Sequence, residues 1–558
     1  MPNRNPKELV GIVLQPIELG TDLLKRRLGL FSVVIISLSA MLGSGLFVLP
    51  ALAMLELGSG EPLGGIWLAY LIAAVVVLPS AISKAELATA MPVSGGSYLY
   101  VQRTFGPLIG TISGLGLWAN FMLKSAFALI GFKAYLWVLE DILGTNLNIE
   151  YAALVLLLVI VWINILGVKK IKSVQVPIVL ISTSFLIFLC IFAIFTVPMN
   201  WDRVLSTDAF GSDWTTLAET SAFVFVSYAG VTKIAAVGGE VKNPDNNLPY
   251  GILLSLSFST ALYVFVTIIL AAAVDPQEYM IVVDGEIQRA GEDPIYVFAN
   301  AIAGENVGRI AALLAIATMT SMALAGIMAS SRFPFAMARD NLLPEFMEDV
   351  HSKYETPHYA IIVTGLAMAL AITFLPVKDV AKLASGFKIM IFIVINLCVI
   401  ILRRSSASHG WYNPSWKSPA YPLFQVFGIF AGTILLILMG EKALIGGGAA
   451  VILGFVIFKS YGERHISPKI TPWETFRLMF RDPDEVEKRR RLTAFHAADT
   501  EGTNHLTLHE FIAAMEALDC CDEGNEALRS YFHAADTDED GVIDIVQFLE
   551  SVEQHGEV

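Results

Sequence analysis

The chain has 558 residues, of which 55% are hydrophobic and only 16% charged, with a mean hydropathy of +0.63. A soluble protein typically carries about 25% charged residues, so an ordinary soluble domain is excluded and a polytopic α-helical membrane protein is indicated. The formal net charge of −14 comes from acids concentrated after Glu485 and describes a tail, not the membrane part; no nucleic-acid partner is expected.

Four cysteines (Cys190, Cys398, Cys520, Cys521) provide no disulfide framework. Met1 to Leu28 is polar and ends in the basic flank Lys25-Arg26-Arg27; no removable signal peptide is expected. Apolar spans follow near 31–54, 63–83, 107–139, 151–167, 174–198, 218–239, 248–274, 307–336, 358–376, 383–402, 421–439 and 443–459. About twelve crossings are expected, the third and eighth long enough to tilt or project.

The first span contains Met41-Leu42-Gly43-Ser44-Gly45-Leu46-Phe47. Two glycines around a serine are poor helix formers. Backbone groups freed in lipid cost several kcal/mol unless they are satisfied. The stretch therefore either lets helices pack closely or offers N–H groups at a half-helix start to an anion such as a carboxylate.

Basic residues alternate with acids from loop to loop. Lys84 and Arg103 fall between spans two and three, Lys169, Lys170 and Lys172 between four and five, and Arg332, Arg339 and Lys353 between eight and nine. Glu56, Glu61, Glu140, Asp141, Asp275 and Glu278 fall in the alternate loops. The basic side is read as cytoplasmic, which places both termini there.

The sixth span repeats the oddity of the first, with Ser227, Gly230, Thr232 and Lys233 inside Phe223–Lys233. Interrupted spans five helices apart are the pattern of two inverted five-helix halves whose breaks meet at a midplane site. The fold class is thus all-α: about twelve transmembrane helices with a 5+5 inverted repeat over 29–460, plus a small cytoplasmic helical domain.

From 461 to 488 the chain is charged, with an amphipathic segment, Trp473–Phe480. It reads either as a helix on the membrane surface or as the linker helix into a domain at 489–558. There, Asp536, Asp538, Asp540, Val542 and Asp544 occupy ligand positions of an EF-hand calcium loop, with Gly541 at the turn. Gln547 stands where a bidentate Glu is expected. A looser loop offers Asp499, Glu501, Thr503, His505, Thr507 and Glu510, with Asn504 at its turn. An acidic helical tail without metal is the alternative.

Several ordered passages carry a resemblance to a known family. They are Gly43-Ser44-Gly45; Glu86–Pro92 with Gly95-Gly96-Ser97-Tyr98 and Phe105-Gly106-Pro107; the sixth span with Gly239-Glu240-Val241-Lys242-Asn243-Pro244; Met337–Pro344 with Thr356-Pro357-His358; and Tyr412-Asn413-Pro414 before Tyr421-Pro422. Over about residues 30–460 the chain resembles the amino acid–polyamine–organocation superfamily of secondary transporters. The EF-hand-like tail is not part of that pattern.

The resemblance implies a substrate held by Met41, Gly43, Ser44, Gly45, Val226, Ala229 and Gly230. The amides of Ser44 and Gly45 would take a carboxylate, and the carbonyls of Met41, Val226 and Ala229 an α-amino group. Some relatives carry a large aromatic gate at Val226 and an acid at Thr232; their absence argues against cationic substrates. Proton or sodium coupling is expected. Ser182 aligns with a lysine of proton-coupled relatives, and Thr320 and Ser321 offer hydroxyls to sodium.

Lys124 and Lys233 lie within spans three and six. They are read either as members of structural ion pairs with Glu86 or Glu240, or as groups that titrate during transport or attract an anion. The reading is an amino acid transporter of the cell membrane with a calcium-sensing tail. A sensor or receptor that kept the fold but lost turnover is the alternative. No enzyme motif is found.

Overall fold

The structure is a computed structural model. It describes residues 26, 28–93, 95–144, 149–167, 171–211, 213–236, 238–405, 412–465, 471–481, 483–499, 503–518, 525–538 and 540–555. Among the described residues, seven helices are long and apolar enough to cross a membrane, including Ile66–Ala90, Pro107–Tyr135, Pro244–Ala273, Glu305–Arg339 and Val377–Arg404. Leu30–Met41, Tyr151–Leu166, Pro294–Ala303, His358–Phe374 and Leu423–Leu438 are shorter apolar helices.

Glycine and proline set several boundaries. Gly106, at φ +91°, turns the chain between helix Ser97–Phe105 and helix Pro107–Tyr135. This is a conformation that side chains resist, and Pro107 then occupies a first-turn position where no N–H is needed. The Pro107–Tyr135 helix is the central post. It packs on Glu305–Ser330 and Val377–Arg404, while Ile66–Ala90 packs on Pro244–Ala273. Ile171–Thr196 and Glu441–Ile457 lie at the rim, with Phe188, Phe195, Ile445 and Ile452 exposed. Such surface is stable where lipid is the solvent.

Three expectations are corrected. Lys84 is not in a loop; it lies inside Ile66–Ala90 and is fully buried. Helix-forming Ala81, Ala85 and Leu87 around it carry the span on to Ala90. Glu86 does not pair with Lys124. Its carboxylate is held by Arg403 through Nε and Nη2, both at 2.7 Å, by the Tyr412 hydroxyl at 2.7 Å and by the Ser418 amide at 2.8 Å. The segment after Asp275 is not plain loop: Met280–Val283 and Glu286–Ala290 form an antiparallel hairpin. Its turn residues Asp284 and Gly285 both have positive φ, as a tight two-residue hairpin turn requires.

Helix Pro472–Leu478 begins with a capping box between Thr471 and Glu474. It lies against Ser97–Phe105 and Val377–Arg404, with the ring of Trp473 5.7 Å from that of Phe105. Two helix–loop–helix units follow, Pro483–Ala498 with Leu508–Ala517 and Asn525–Ala535 with Ile545–His555. His505–Leu506 pairs with Ile543–Asp544 as a short antiparallel sheet. Phe495, Phe511, Met515, Phe532 and Phe548 form a core separate from that of the bundle.

Candidate substrate and ion site

Helix Leu30–Met41 stops at an extended Leu42 and Gly43, and a new helix starts at Ser44. Gly43 is extended, a backbone any residue adopts; a Cβ there would meet the sulfur of Met322, whose flexible side chain would have to shift. The amides of Ser44 and Gly45 open the new helix and have no acceptor within it. In the sixth span, helix Trp214–Val224 gives way to a 3-10 stretch, Phe225–Thr232.

The two breaks touch. A Cβ on Gly230 would lie 2.5 Å from the carbonyl carbon of Ala40, and one on Gly45 would lie 2.8 Å from the Ser227 hydroxyl. Met41, Ser44, Val226, Ala229 and Ser227 are buried. Neighbouring helices satisfy the loosened backbone. The Ser385 hydroxyl donates to the Phe223 carbonyl (2.9 Å) and accepts from the Val226 amide (3.0 Å). Tyr70 donates to the Gly45 carbonyl at 2.8 Å, and Tyr228 to the Tyr70 carbonyl at 3.0 Å. The Tyr263 hydroxyl lies 2.8 Å from the Met41 carbonyl and 3.2 Å from that of Ser227, so its one proton serves both.

Lys124 joins the two breaks. Its ammonium donates to the carbonyl of Ala40 at 2.8 Å and to that of Ser227 at 3.3 Å. A cation placed among carbonyls from both broken helices is the arrangement expected around an amino group or a metal cation. The lysine itself provides it here. The Met41 carbonyl, expected to face a substrate amine, already accepts from Tyr263. The carbonyls that reach a cation are Ala40 and Ser227.

Ser182 and Thr318 share a hydrogen bond of 2.7 Å between hydroxyls, and Thr320 donates back to Ile316 on its own helix. Ser321 and Lys233 are buried; the side chain of Glu240, the suggested partner of Lys233, lies outside the described residues. Sequence reading missed Tyr70, Tyr263 and Ser385. Each is a hydroxyl inside an apolar span, a signal shared with ordinary packing residues.

In the tail, carboxylate oxygens of Asp536, Asp538 and Asp540 lie within 4.8 Å of one another. The Asp536 carboxylate accepts from the amides of Asp540 and Gly541, and the Val542 amide donates to Asp540. Asp544 caps helix Ile545–His555 through the amides of Val546 and Gln547. The Gln547 side-chain amide donates to Asp538 at 3.0 Å, so a neutral group stands where a second carboxylate would repel. In the other loop Asp499 accepts from Thr503 and Asn504, and Glu510 accepts from the Thr507 amide. Asn504 has φ +59°, and His505 contributes to the short sheet; Glu501 lies outside the described residues.

A bundle of apolar helices, several long enough to cross a membrane, defines a polytopic membrane protein. Residues 28–471 match the family described as amino acid permease, and the chain belongs to that family, one of permeases and not of enzymes. It is 28% identical to the branched-chain amino acid permease BcaP of Bacillus subtilis, over 80% of this chain and 95% of that protein. It is 26% identical to the methylthioribose transporter of the same organism, over 79% and 94%, and 26% identical to the vacuolar cationic amino acid transporter 4 of Arabidopsis thaliana, over 69% and 64%. The helix–loop–helix tail lies beyond the family match.

Proposed function

We propose that the protein is a secondary active amino acid transporter working by alternating access, with both termini cytoplasmic. Joining each broken helix across its break, and setting aside Pro294–Ala303, which spans only about 15 Å, gives twelve crossings in two five-helix halves plus a terminal pair. The observation that carries this reading is the direct contact of the two breaks, bridged by Lys124. The substrate carboxylate sits at the amides of Ser44 and Gly45. Its α-amino group competes with Lys124 for carbonyls at the same junction.

The coupling ion in this reading is a proton carried through Lys124. Of the two hydroxyls expected to face sodium, that of Thr320 donates to Ile316 on its own helix. The test is counterflow of labelled amino acids, neutral ones first, in liposomes holding the purified full-length protein, with choline replacing sodium. Accumulation driven by a proton gradient is expected. Binding without counterflow assigns a sensor instead, and an absolute sodium requirement removes the proton role.

The tail is proposed as an EF-hand pair. Asp536, Asp538, Asp540 and Asp544 supply carboxylates, Val542 a carbonyl and Gln547 a neutral oxygen at the calcium loop; Asp499, Thr503 and Glu510 form the weaker one. Calcium, when bound, supplies positive charge that draws these carboxylates inward. Helix Pro472–Leu478, seated on Ser97–Phe105 and Val377–Arg404, passes the resulting change of helix packing to the bundle. Calcium titration of the full-length protein should show binding that Asp536→Asn with Asp538→Asn abolishes. Titration indistinguishable between the two proteins ends the proposal.

A further inference from the structure

The two broken spans are joined a second time, away from their junction. They touch at Ala40 and Gly230, and they meet again where the first span begins and the sixth ends. Leu28 and Val241 form an isolated parallel bridge, and the Lys242 amide donates to the Leu28 carbonyl at 2.8 Å. Between these points helix Leu30–Met41 lies against the 3-10 stretches Phe225–Thr232 and Ile234–Ala236. The seam between the inner halves of the two spans is thus closed at both ends, once at the site and once at residue 28.

This stitch has a firm side and a loose side. On the firm side, Val241 is fully buried and its amide donates to the Gly238 carbonyl at 3.1 Å. The Lys242 carbonyl accepts from the side chain of Asn247, which lies on helix Pro244–Ala273. On the loose side, Leu28 is followed by Gly29, where a Cβ would find no atom within 4 Å. The helix that starts at Leu30 has no side-chain cap.

Gly29 is ordinary extended backbone, with φ −84° and ψ 174°. Its missing side chain is therefore not required by shape; it adds freedom at an unpacked joint. Just beyond, the chain is fixed again: a Cβ on Gly251 would lie 2.2 Å from Val33, so the helix is seated closely on Pro244–Ala273. A chain held at Val33 and unpacked at Gly29 turns at Gly29. Parting at Leu28 gives up a backbone hydrogen bond, modest in net strength, and the burial of a leucine.

We infer that Leu28, hinged at Gly29, is a latch over the inner end of the seam, and that it parts from Val241 and Lys242 each time the site opens to the cytoplasm. The purpose of the opening rests on the transport reading above; the latch and its hinge are geometry of the chain.

The first test is a disulfide. Neighbouring strands lie about 4.8 Å apart, within the reach of a bridge. Leu28→Cys with Val241→Cys is made in the full-length protein carrying Cys520→Ser and Cys521→Ser; Cys190 and Cys398 are buried. Oxidation should close the bridge, read by mass spectrometry. Counterflow of labelled L-leucine should fall at least about tenfold in the bridged protein and return on reduction, since a gate that cannot open limits turnover. A bridged protein that transports as well as its reduced form overturns the latch, and so does a bridge that never forms.

The second test does not depend on transport. Lys242→Pro removes the donor amide, whereas Lys242→Ala keeps it and loses only an exposed side chain. Each is combined with Leu28→Cys in the same background, and the introduced thiol is alkylated with a maleimide. Labelling should be about tenfold or more faster with Lys242→Pro, because local opening sets the rate. Equal rates overturn the latch; if Lys242→Pro does not fold, the disulfide decides. Unequal rates in a protein without counterflow leave the latch and remove the transport reading. Counterflow with equal rates does the reverse.

Discussion

The two interrupted helices meet at one junction but are broken by different means. The first break is abrupt: the chain leaves the helix at Leu42 and Gly43 and starts another at Ser44. The second is gradual, an eight-residue 3-10 stretch from Phe225 to Thr232. The first depends on absent side chains, since Gly43 faces Met322 and Gly45 faces Ser227. Both also take groups from neighbours: Tyr70, Tyr263 and Lys124 donate to carbonyls of the first, and the Ser385 hydroxyl and Lys124 serve the second. An opened backbone survives in a membrane when room is made for it or when partners are brought to it, and this protein uses both.

The largest expected effect is at Gly230, where a side chain would meet the backbone of Ala40 and Met41 and not a movable group. Gly230→Val should abolish uptake and cost at least about 1–3 kcal/mol through overpacking, read by thermal unfolding in detergent. Gly45→Ala should be milder because its nearest neighbour is a hydroxyl, and Ser227→Gly should rescue it. Failure of that rescue would show that the first break needs flexibility and not space.

Next is Lys124→Met, which strips both breaks of a shared donor: the Ala40 carbonyl loses its ammonium, and that of Ser227 keeps only the divided proton of Tyr263. Uptake should fall more than about tenfold, a factor equivalent to 1.4 kcal/mol, while the protein remains folded and monodisperse. Near-normal uptake would show that the contact of the breaks is enough.

Ser385→Ala acts on the second break alone. It leaves the Val226 amide without its acceptor, at a cost of about 1–3 kcal/mol, read as a lower unfolding temperature. The smallest effect is expected from Tyr263→Phe, about 1 kcal/mol, because one hydroxyl proton is already divided between Met41 and Ser227. If Tyr263→Phe proved the more damaging of the two, the first break would be the one held by partners.

Much of the architecture was legible in the chain. Apolar runs gave the helices, and Gly43-Ser44-Gly45 and Ser227-Tyr228-Ala229-Gly230 marked the weak points, because glycine and serine are poor helix formers wherever they occur. The Asp284-Gly285 hairpin was also written in local turn chemistry, although it was read as loop. Lys84 was misplaced because a single lysine near the end of an apolar run looks the same whether it ends the span or is carried inside it. Which carbonyls accept from Lys124, those of Ala40 and Ser227, was not readable at all.

What the sequence determined by itself is therefore local: where helices run, where they fail, and which loop in the tail gathers carboxylates. What only the tertiary structure decided is which groups answer those failures. Tyr263, Ser385 and Lys124 reach the breaks from helices far away in sequence, and Arg403 takes Glu86 from across the bundle. Helix propensity acts between residues a few positions apart, whereas the partner of a buried polar group is chosen by whatever the packed helices bring within about 3 Å.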